Sequence, residues 1–539
     1  MKIRLYIGSI LLTVLVAGCM TGPDYEKPDF KVADQWTEDL EGGEKGDPAD
    51  RVHWWKEFSD PTLDDLVARI LANNLDLKIA ETRILEARTG LIITGAALWP
   101  QLDASASYKR RYSVEPPAMG GAPSGRGTAV FSRNGLMGVS VSGSTPGGPT
   151  LSYSPDITGG GNSTASVSMG TEGMAKKPSR YSDLYLAGFD ASWELDFFGG
   201  TRRSLEAARA GVQAIEEYKN SLLVMVAAEA ARSYFDLRSY QNRLLINKKN
   251  IEALEESLEL VQARFVAGLT NELDVKQAET HLANMRSTLP TFEYAIEQAI
   301  HRLEILSGEA PGTLKEELSE STHLPAAPPE VLVGIPSEVL QRRPDIRSAE
   351  RDLAAATARI GVATADLFPK FSLTGSFSGT DDSFSGLRLS SNRTWSIGPA
   401  VRWPVFDAGR IRANIEIQNI RQEQALLQYE KTIISSFEEV ENALVLYAKE
   451  QNRLVELKKS VDAGRKALDI ATDLYKQGLV NFLNVLDAER TLFAAEDQQI
   501  SCETNVLTSL VALYKALGGG WEAPPEVLEE VLEELSPLE

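Results

Sequence analysis

The sequence predicts a mixed α/β membrane protein whose wall is completed by copies of itself. The expected assembly is a trimeric 12-stranded transmembrane β-barrel, four strands per chain, continuous with a long α-helical coiled-coil barrel. Three observations predict it. Four segments alternate apolar and polar residues with period two. Long proline-poor stretches step their apolar residues by three and four. The chain also writes both patterns twice, which makes an internal two-fold structural repeat.

The 539-residue chain opens on an address. Lys2 and Arg4 precede an apolar run from Leu5 to Val16, which ends in Val16-Ala17-Gly18-Cys19. The run is too short to span a bilayer comfortably and reads as a signal peptide over 1–18. Small residues just before a cysteine resemble a bacterial lipobox. Cleavage there makes Cys19 the lipidated first residue, of the palmitate-bearing kind; an ordinary signal with an incidental cysteine is the alternative. One acyl chain anchors weakly, so stable attachment needs more than one. Met20 follows the cysteine where an aspartate would mark inner-membrane retention, which favours the outer membrane. An extended segment, 19–60, leads into the repeat.

The formal charge of −21, two more negative once Lys2 and Arg4 are removed, argues against a nucleic-acid partner. Cys502 is the one other cysteine, so no intrachain disulfide framework is possible. No later stretch is apolar enough for a transmembrane helix, so membrane crossing falls to strands.

The first half spans 61–308, a linker 309–335, the second half 336–518 and an acidic tail 519–539. Gln241-Asn242-Arg243-Leu244 recurs as Gln451-Asn452-Arg453-Leu454, and Trp193 recurs as Trp403. Earlier in each half, Asp76, Leu98 and Pro100 answer Asp345, Leu367 and Pro369 at a wider offset. The first half therefore holds an insertion between Pro100 and Trp193. Its Gly/Ser/Pro-rich composition predicts an exposed loop over about 113–180. The tail reads as a short helix or as disorder.

Strands are expected at about 101–110, 184–197, 370–379 and 394–406. In the first, Leu102, Ala104, Ala106 and Tyr108 alternate with Gln101, Asp103, Ser105 and Ser107. In the second, Tyr185, Ala187, Phe189, Ala191 and Trp193 alternate with Asp190, Ser192 and Glu194. A half-buried soluble sheet shares this alternation. The small, polar character of the other face points instead to a wet lumen. Tyr185, Trp193, Trp395 and Trp403 sit near strand ends, as an aromatic girdle would. Four strands cannot close, and open edges are not tolerated in lipid. Two chains would give eight strands and a bore filled by side chains; three give twelve and leave a channel.

Between Phe198 and Gly268 there is no proline, which predicts a helical rod near 90 Å long. Ile251, Leu254, Leu258, Val261 and Phe265 set a coiled-coil seam that resumes after Gly268 from Val275 to Leu306. Pro290 should kink that return helix or mark a tolerated break. The second half repeats the seam from Val485 to Ala516, with Cys502 on a packing position.

Four motifs then carry a resemblance: Gly22-Pro23-Asp24-Tyr25; Trp54-Trp55-Lys56-Glu57-Phe58 with Asp60-Pro61; Arg342-Arg343-Pro344-Asp345-Ile346; and the paired turns Gly268-Leu269 and Gly478-Leu479. The chain resembles the TolC-type outer-membrane efflux family, in the lipoprotein branch that includes OprM and CusC. The resemblance implies a homotrimer in a Gram-negative-type outer membrane, with a helical tunnel through the periplasm. The implied function is that of a passive gated conduit in a tripartite pump, exporting drugs or other toxic small molecules. Its partners would be outer-membrane lipid, a periplasmic adaptor (membrane fusion) protein and an inner-membrane RND-type transporter. Metal ions or secreted proteins are the alternative cargo. A lipid-anchored trimeric coiled-coil stalk of structural or adhesive role is the rival class. It leaves the four alternating strands unexplained.

The resemblance also implies a constriction at the periplasmic end, where the family's aspartate ring maps to Asp487 and its apolar partner to Leu483. Asp487 lies beyond the first helical turn, so capping does not account for it. The bland alternative is a surface carboxylate paired with Arg490 at i+3. Asn484 stands where some relatives carry a second acid, so the ring would be less negative. Asn271 and Asn481 suit helix N-caps, and Asp274 suits the first turn. Adaptor docking is expected at Gly268, Leu269, Gly478 and Leu479, although both glycines also serve turns that need φ > 0.

Nothing points to catalysis or to a cofactor other than the covalent lipid on Cys19. His53, His281, His301 and His323 are scattered singly, with no HExxH, nucleophile elbow or phosphate loop, and no metal site. His281 and His301 read as surface histidines of a long helix.

Overall fold

The computed structural model describes residues 20–30, 36, 52–112, 181–320, 324–327, 336–384 and 393–521, with the backbone of 128–130 and 138–140. Cys19 and its signal, His323, most of the insertion and the tail from 522 lie outside the described residues. The chain forms two compact units. One holds the strands (Pro100–Glu194 and Ser372–Ala400), the other the helices (Met1–Trp99, Leu195–Phe371 and Val401–Glu539).

In the strand unit, β1 is Gln101–Tyr112, β2 Thr128–Val130, β3 Gly138–Ser140, β4 Tyr181–Leu195, β5 Lys370–Asp381 and β6 Arg393–Arg402. β2 and β3 form an antiparallel ribbon within the segment expected to be an exposed loop. The main sheet has the order β1-β4-β5-β6, so β1 and β6 are its edges.

Register decides what the alternation means. Leu102 faces Ala191 across the ladder, Ala104 faces Phe189, Ala106 faces Ala187 and Tyr108 faces Tyr185. Directly opposed residues share a face, so the two apolar rows coincide. Gln101 and Ser192, Asp103 and Asp190, and Ser105 and Gly188 make the other face polar or bare. The apolar row ends in polar contacts, where Arg110 pairs with Asp183 at 3.1 Å and the Tyr112 and Tyr181 rings lie 5.0 Å apart.

β4 stops at Leu195 although the apolar alternation runs on to Phe197. The Asp196 carboxylate instead accepts from the Arg202 N–H at 2.9 Å and starts the following helix. β6 stops at Arg402, because Pro404 has no N–H for a ladder. Trp403 therefore lies past the strand, its indole N–H donating to the Leu367 carbonyl at 3.0 Å.

In the helical unit, a 3-10 turn over Trp54–Phe58 precedes α1 (Pro61–Asn73), α2 (Leu75–Ala96), α3 (Gly200–Val266) and α4 (Glu272–Ser307). Then come α5 (Lys315–Leu318), α6 (Pro336–Arg342), α7 (Pro344–Ala365), α8 (Arg410–Lys476) and α9 (Phe482–Ala516). α3 and α8 have 67 residues each, which at 1.5 Å per residue makes rods of about 100 Å. α4 continues through Pro290, whose ring is exposed, so the helix is not interrupted there.

The sequence motifs are the fasteners of this unit. Trp54 is fully buried and stacks 5.3 Å from Tyr514, whose hydroxyl donates to Glu57. Asp60 caps α1 through the Thr62 N–H at 3.0 Å and also receives the Tyr234 hydroxyl at 2.6 Å. Arg343 is buried between Asp345 (2.6 Å), Glu439 (2.9 Å) and the Ala516 carbonyl (2.9 Å). Arg203 grips Asp24 at 2.6 Å, and the Tyr25 hydroxyl reaches Glu350 at 3.3 Å. Gly22 lies so close to Gly361 that a β-carbon would sit 2.4 Å from its Cα. Cys502 is fully buried as expected, its thiol 3.2 Å from the Glu450 carboxylate.

Candidate functional site: the two hairpin tips

Each long helix turns back at a glycine. α3 ends with the Leu269 N–H donating to the Arg264 carbonyl (2.8 Å) and Gly268 to Phe265 (2.9 Å), with φ +72° at Gly268. α8 ends the same way, Leu479 on Leu474 (2.9 Å) and Gly478 on Tyr475 (2.9 Å), with φ +77°. This paired bonding satisfies the last carbonyls and needs a left-handed residue after the helix. Leu269 and Leu479 are 66% and 67% exposed, so the tips present two apolar side chains to solvent.

Beneath the tips, Val261, Val275, Tyr475, Phe482, Val485 and Leu486 form one apolar cluster shared by both hairpins. Arg264 ties them together. Its guanidinium donates to the Lys476 carbonyl at 3.0 Å and lies 4.7 Å over the Tyr475 ring.

The caps differ. Asn271 accepts from the Asp274 N–H at 3.1 Å, and Thr270 donates to the Asp274 carboxylate. Asn481 holds the equivalent extended position without capping, contrary to expectation. Its side-chain oxygen instead accepts from the Asn484 amide at 2.9 Å. The competing donor is the residue that replaces Asp274 in the second hairpin.

Leu483 and Asp487 lie one turn apart on α9, both exposed, Leu483 at 54%. No ion pair joins Asp487 to Arg490 among the described residues. Arg490 is placed beside His281 instead, in a cavity between the hairpins. His281 itself is buried, which corrects the surface reading; the Phe493 ring of α9 covers it at 6.2 Å, nearly parallel. His301 is exposed.

Two residues here were missed. Arg264 carries no signal in the sequence that sets it apart from the other arginines. Glu489 carried a signal, because it stands on the apolar seam between Val485 and Leu492. It is 4% exposed, and burial raises its carboxyl pKa to about 7.

Away from the tips, Tyr185 packs on Tyr108 at 4.8 Å and on Phe384 at 5.8 Å. Trp193, Trp395 and Trp403 are exposed.

A family model described as outer membrane efflux protein matches residues 151–309 and 335–519. The chain is 29% identical to the cation efflux system protein CusC of Escherichia coli over 95% of its own length and 98% of that protein. It is 30% identical to the solvent efflux pump outer membrane protein SrpC of Pseudomonas putida, over 94% of this chain and 97% of SrpC. The structure of the outer-membrane channel OprN superposes with a TM-score of 0.74 at 34% identity, covering 93% of this chain and all of that one. The chain belongs to the outer membrane efflux protein family and is an outer-membrane component of an efflux system.

Proposed function

We propose that three copies of this chain form a gated conduit through the outer membrane and periplasm. The observation that carries the reading is the four-stranded sheet, with β1 and β6 as its edges among the described residues and an apolar face shared by β1 and β4. Free edges cannot face lipid, and β1 of one copy against β6 of the next satisfies both. Twelve pooled strands enclose a water-filled bore. The apolar rows face lipid, and Tyr185, Trp193, Trp395 and Trp403 lie at its interfaces.

The N-terminal path supports a lipid on Cys19. Thr21 donates from its N–H to the Phe198 carbonyl at 3.1 Å, between the end of β4 and the start of α3. That contact holds the start of the mature chain where strand gives way to helix, the level of a membrane surface.

At the opposite ends of the long helices, Leu483 and Asp487 from three chains narrow the bore, with the carboxylates repelling one another. The Arg264 contacts hold the hairpins together until partners draw them apart. A periplasmic adaptor docks on Leu269 and Leu479 beside Gly268 and Gly478, and an RND-type inner-membrane transporter supplies the energy. The cargo is a small molecule delivered by that transporter.

Single-channel recording in planar bilayers tests the gate. Replacing Asp487 with Ala should raise the resting current several-fold, and unchanged current removes Asp487 and Leu483 from that role. Crosslinking from Leu269 and Leu479 to an adaptor should succeed in the assembled pump; its failure there excludes the tips as the docking surface.

A further inference from the structure

Between α3, α4 and α9 lies a cavity of about 350 Å³, lined by Arg243, His281, Met285, Phe292, Arg490 and Phe493 among others. Its volume suits a one- or two-ring molecule. Most of its polar lining is already satisfied. Arg243 makes a two-point contact with Asp497 (2.7 and 2.8 Å) and lies 4.9 Å over the Phe292 ring. Asn247 donates to the Arg243 carbonyl at 2.8 Å, and Thr288 donates to the Met285 carbonyl at 2.7 Å.

Two groups are left over. His281 is only 8% exposed, and its Nε2 has no hydrogen-bond partner. A buried polar atom left unpaired costs about 1–3 kcal/mol, so a partner supplied by a ligand would be favoured. Arg490 makes no hydrogen bond or ion pair among the described residues. With Arg243 neutralised by Asp497, the cavity carries one uncompensated positive charge. Burial and the Arg490 charge push the His281 pKa below the usual imidazole range, so the ring is neutral and has one N–H to offer.

We propose that this cavity binds a small amphipathic organic anion of the aryl carboxylate or sulfonate class. Its acid group meets the Arg490 guanidinium and the His281 N–H, and its ring lies against Phe493, Phe292 and Met285. The charge supplies selectivity for anions and the apolar wall supplies contact area. The site is separate from the Asp487 constriction and does not depend on it.

The test uses the purified full-length channel in neutral detergent, with 4-bromobenzoate as probe and 4-bromobenzamide as its uncharged match. Calorimetric titration should show saturable binding of one benzoate per chain, about tenfold tighter than the amide. Bromine anomalous diffraction should place the atom between Phe493 and Phe292. Arg490→Gln, at an exposed position, should weaken benzoate about tenfold and leave the amide unchanged. His281→Phe, which keeps a flat ring over Phe493, should weaken benzoate by a smaller factor. Equal affinity for acid and amide, bromine located only elsewhere, binding at crystal concentration only, or indifference to Arg490→Gln would each overturn the assignment.

Discussion

The two hairpins share their turn and differ in what stands behind it. Gly268 and Gly478 have the same left-handed conformation and the same paired carbonyl bonds. The first turns of the returning helices then diverge at matching places. Glu279 is partly exposed and pairs with Lys276 at 2.9 Å, whereas its counterpart Glu489 is buried with one oxygen unpartnered. Thr280 is matched by Arg490, and Asn271 caps while Asn481 does not. Backbone punctuation survives duplication because only a glycine fits the turn cheaply. The side-chain environment is free to drift. The first hairpin is stapled by local bonds, and the second holds the exposed Leu483 and Asp487 together with a destabilised carboxyl.

The largest effect expected from this contrast is in pH dependence. Burial raises the Glu489 pKa from 4.5 to about 7, with Ser257 as its compensating hydrogen bond. The folded chain holds a proton that the unfolded chain releases, so stability falls as pH climbs from 4.5 towards 7. The loss is complete above 7, and amounts to about 3 kcal/mol per chain. Glu489→Gln should flatten that slope in thermal unfolding followed from pH 5 to 8. Glu279→Gln should leave it intact. A slope in Glu489→Gln as steep as in the parent chain would break the comparison.

Next in size is the link between hairpins. Arg264→Ala removes a carbonyl hydrogen bond and a ring contact worth about 1–2 kcal/mol together. If that link opposes separation, the open fraction in bilayer recordings should rise about tenfold. Lys476 contributes only its backbone carbonyl, so Lys476→Ala should do nothing. Smallest are the caps. Asn271→Ala should cost about 1 kcal/mol and Asn481→Ala a few tenths or less, measured by hydrogen exchange at the first turns of α4 and α9. Equal costs would show that the two asparagines act alike.

Much of this was legible in the sequence, for definite reasons. Period-two alternation located the strands because each residue's face follows from its position, and the register of Leu102 with Ala191 then had to match. Gly-Leu marked both turns because the left-handed requirement is local. What could not be read depends on distant chain. His281 looked solvated along α4, and Phe493, more than 200 residues away, buries it. Trp403 looked like the end of a strand, and its indole serves a turn at Leu367. Asn481 has the right letter in the right place, and the amide three residues on diverts it. Pro290 removes one backbone donor from α4, and the helix nevertheless runs through it.

The claim on which the rest depends is that the sheet edges β1 and β6 of one chain are closed by its copies. The mass of the detergent-solubilised complex, measured by light scattering with detergent correction, tests it most directly. Three chains per particle, falling apart only when β-structure is lost, is the predicted result. A single folded chain that keeps its β-structure and its solubility would contradict it.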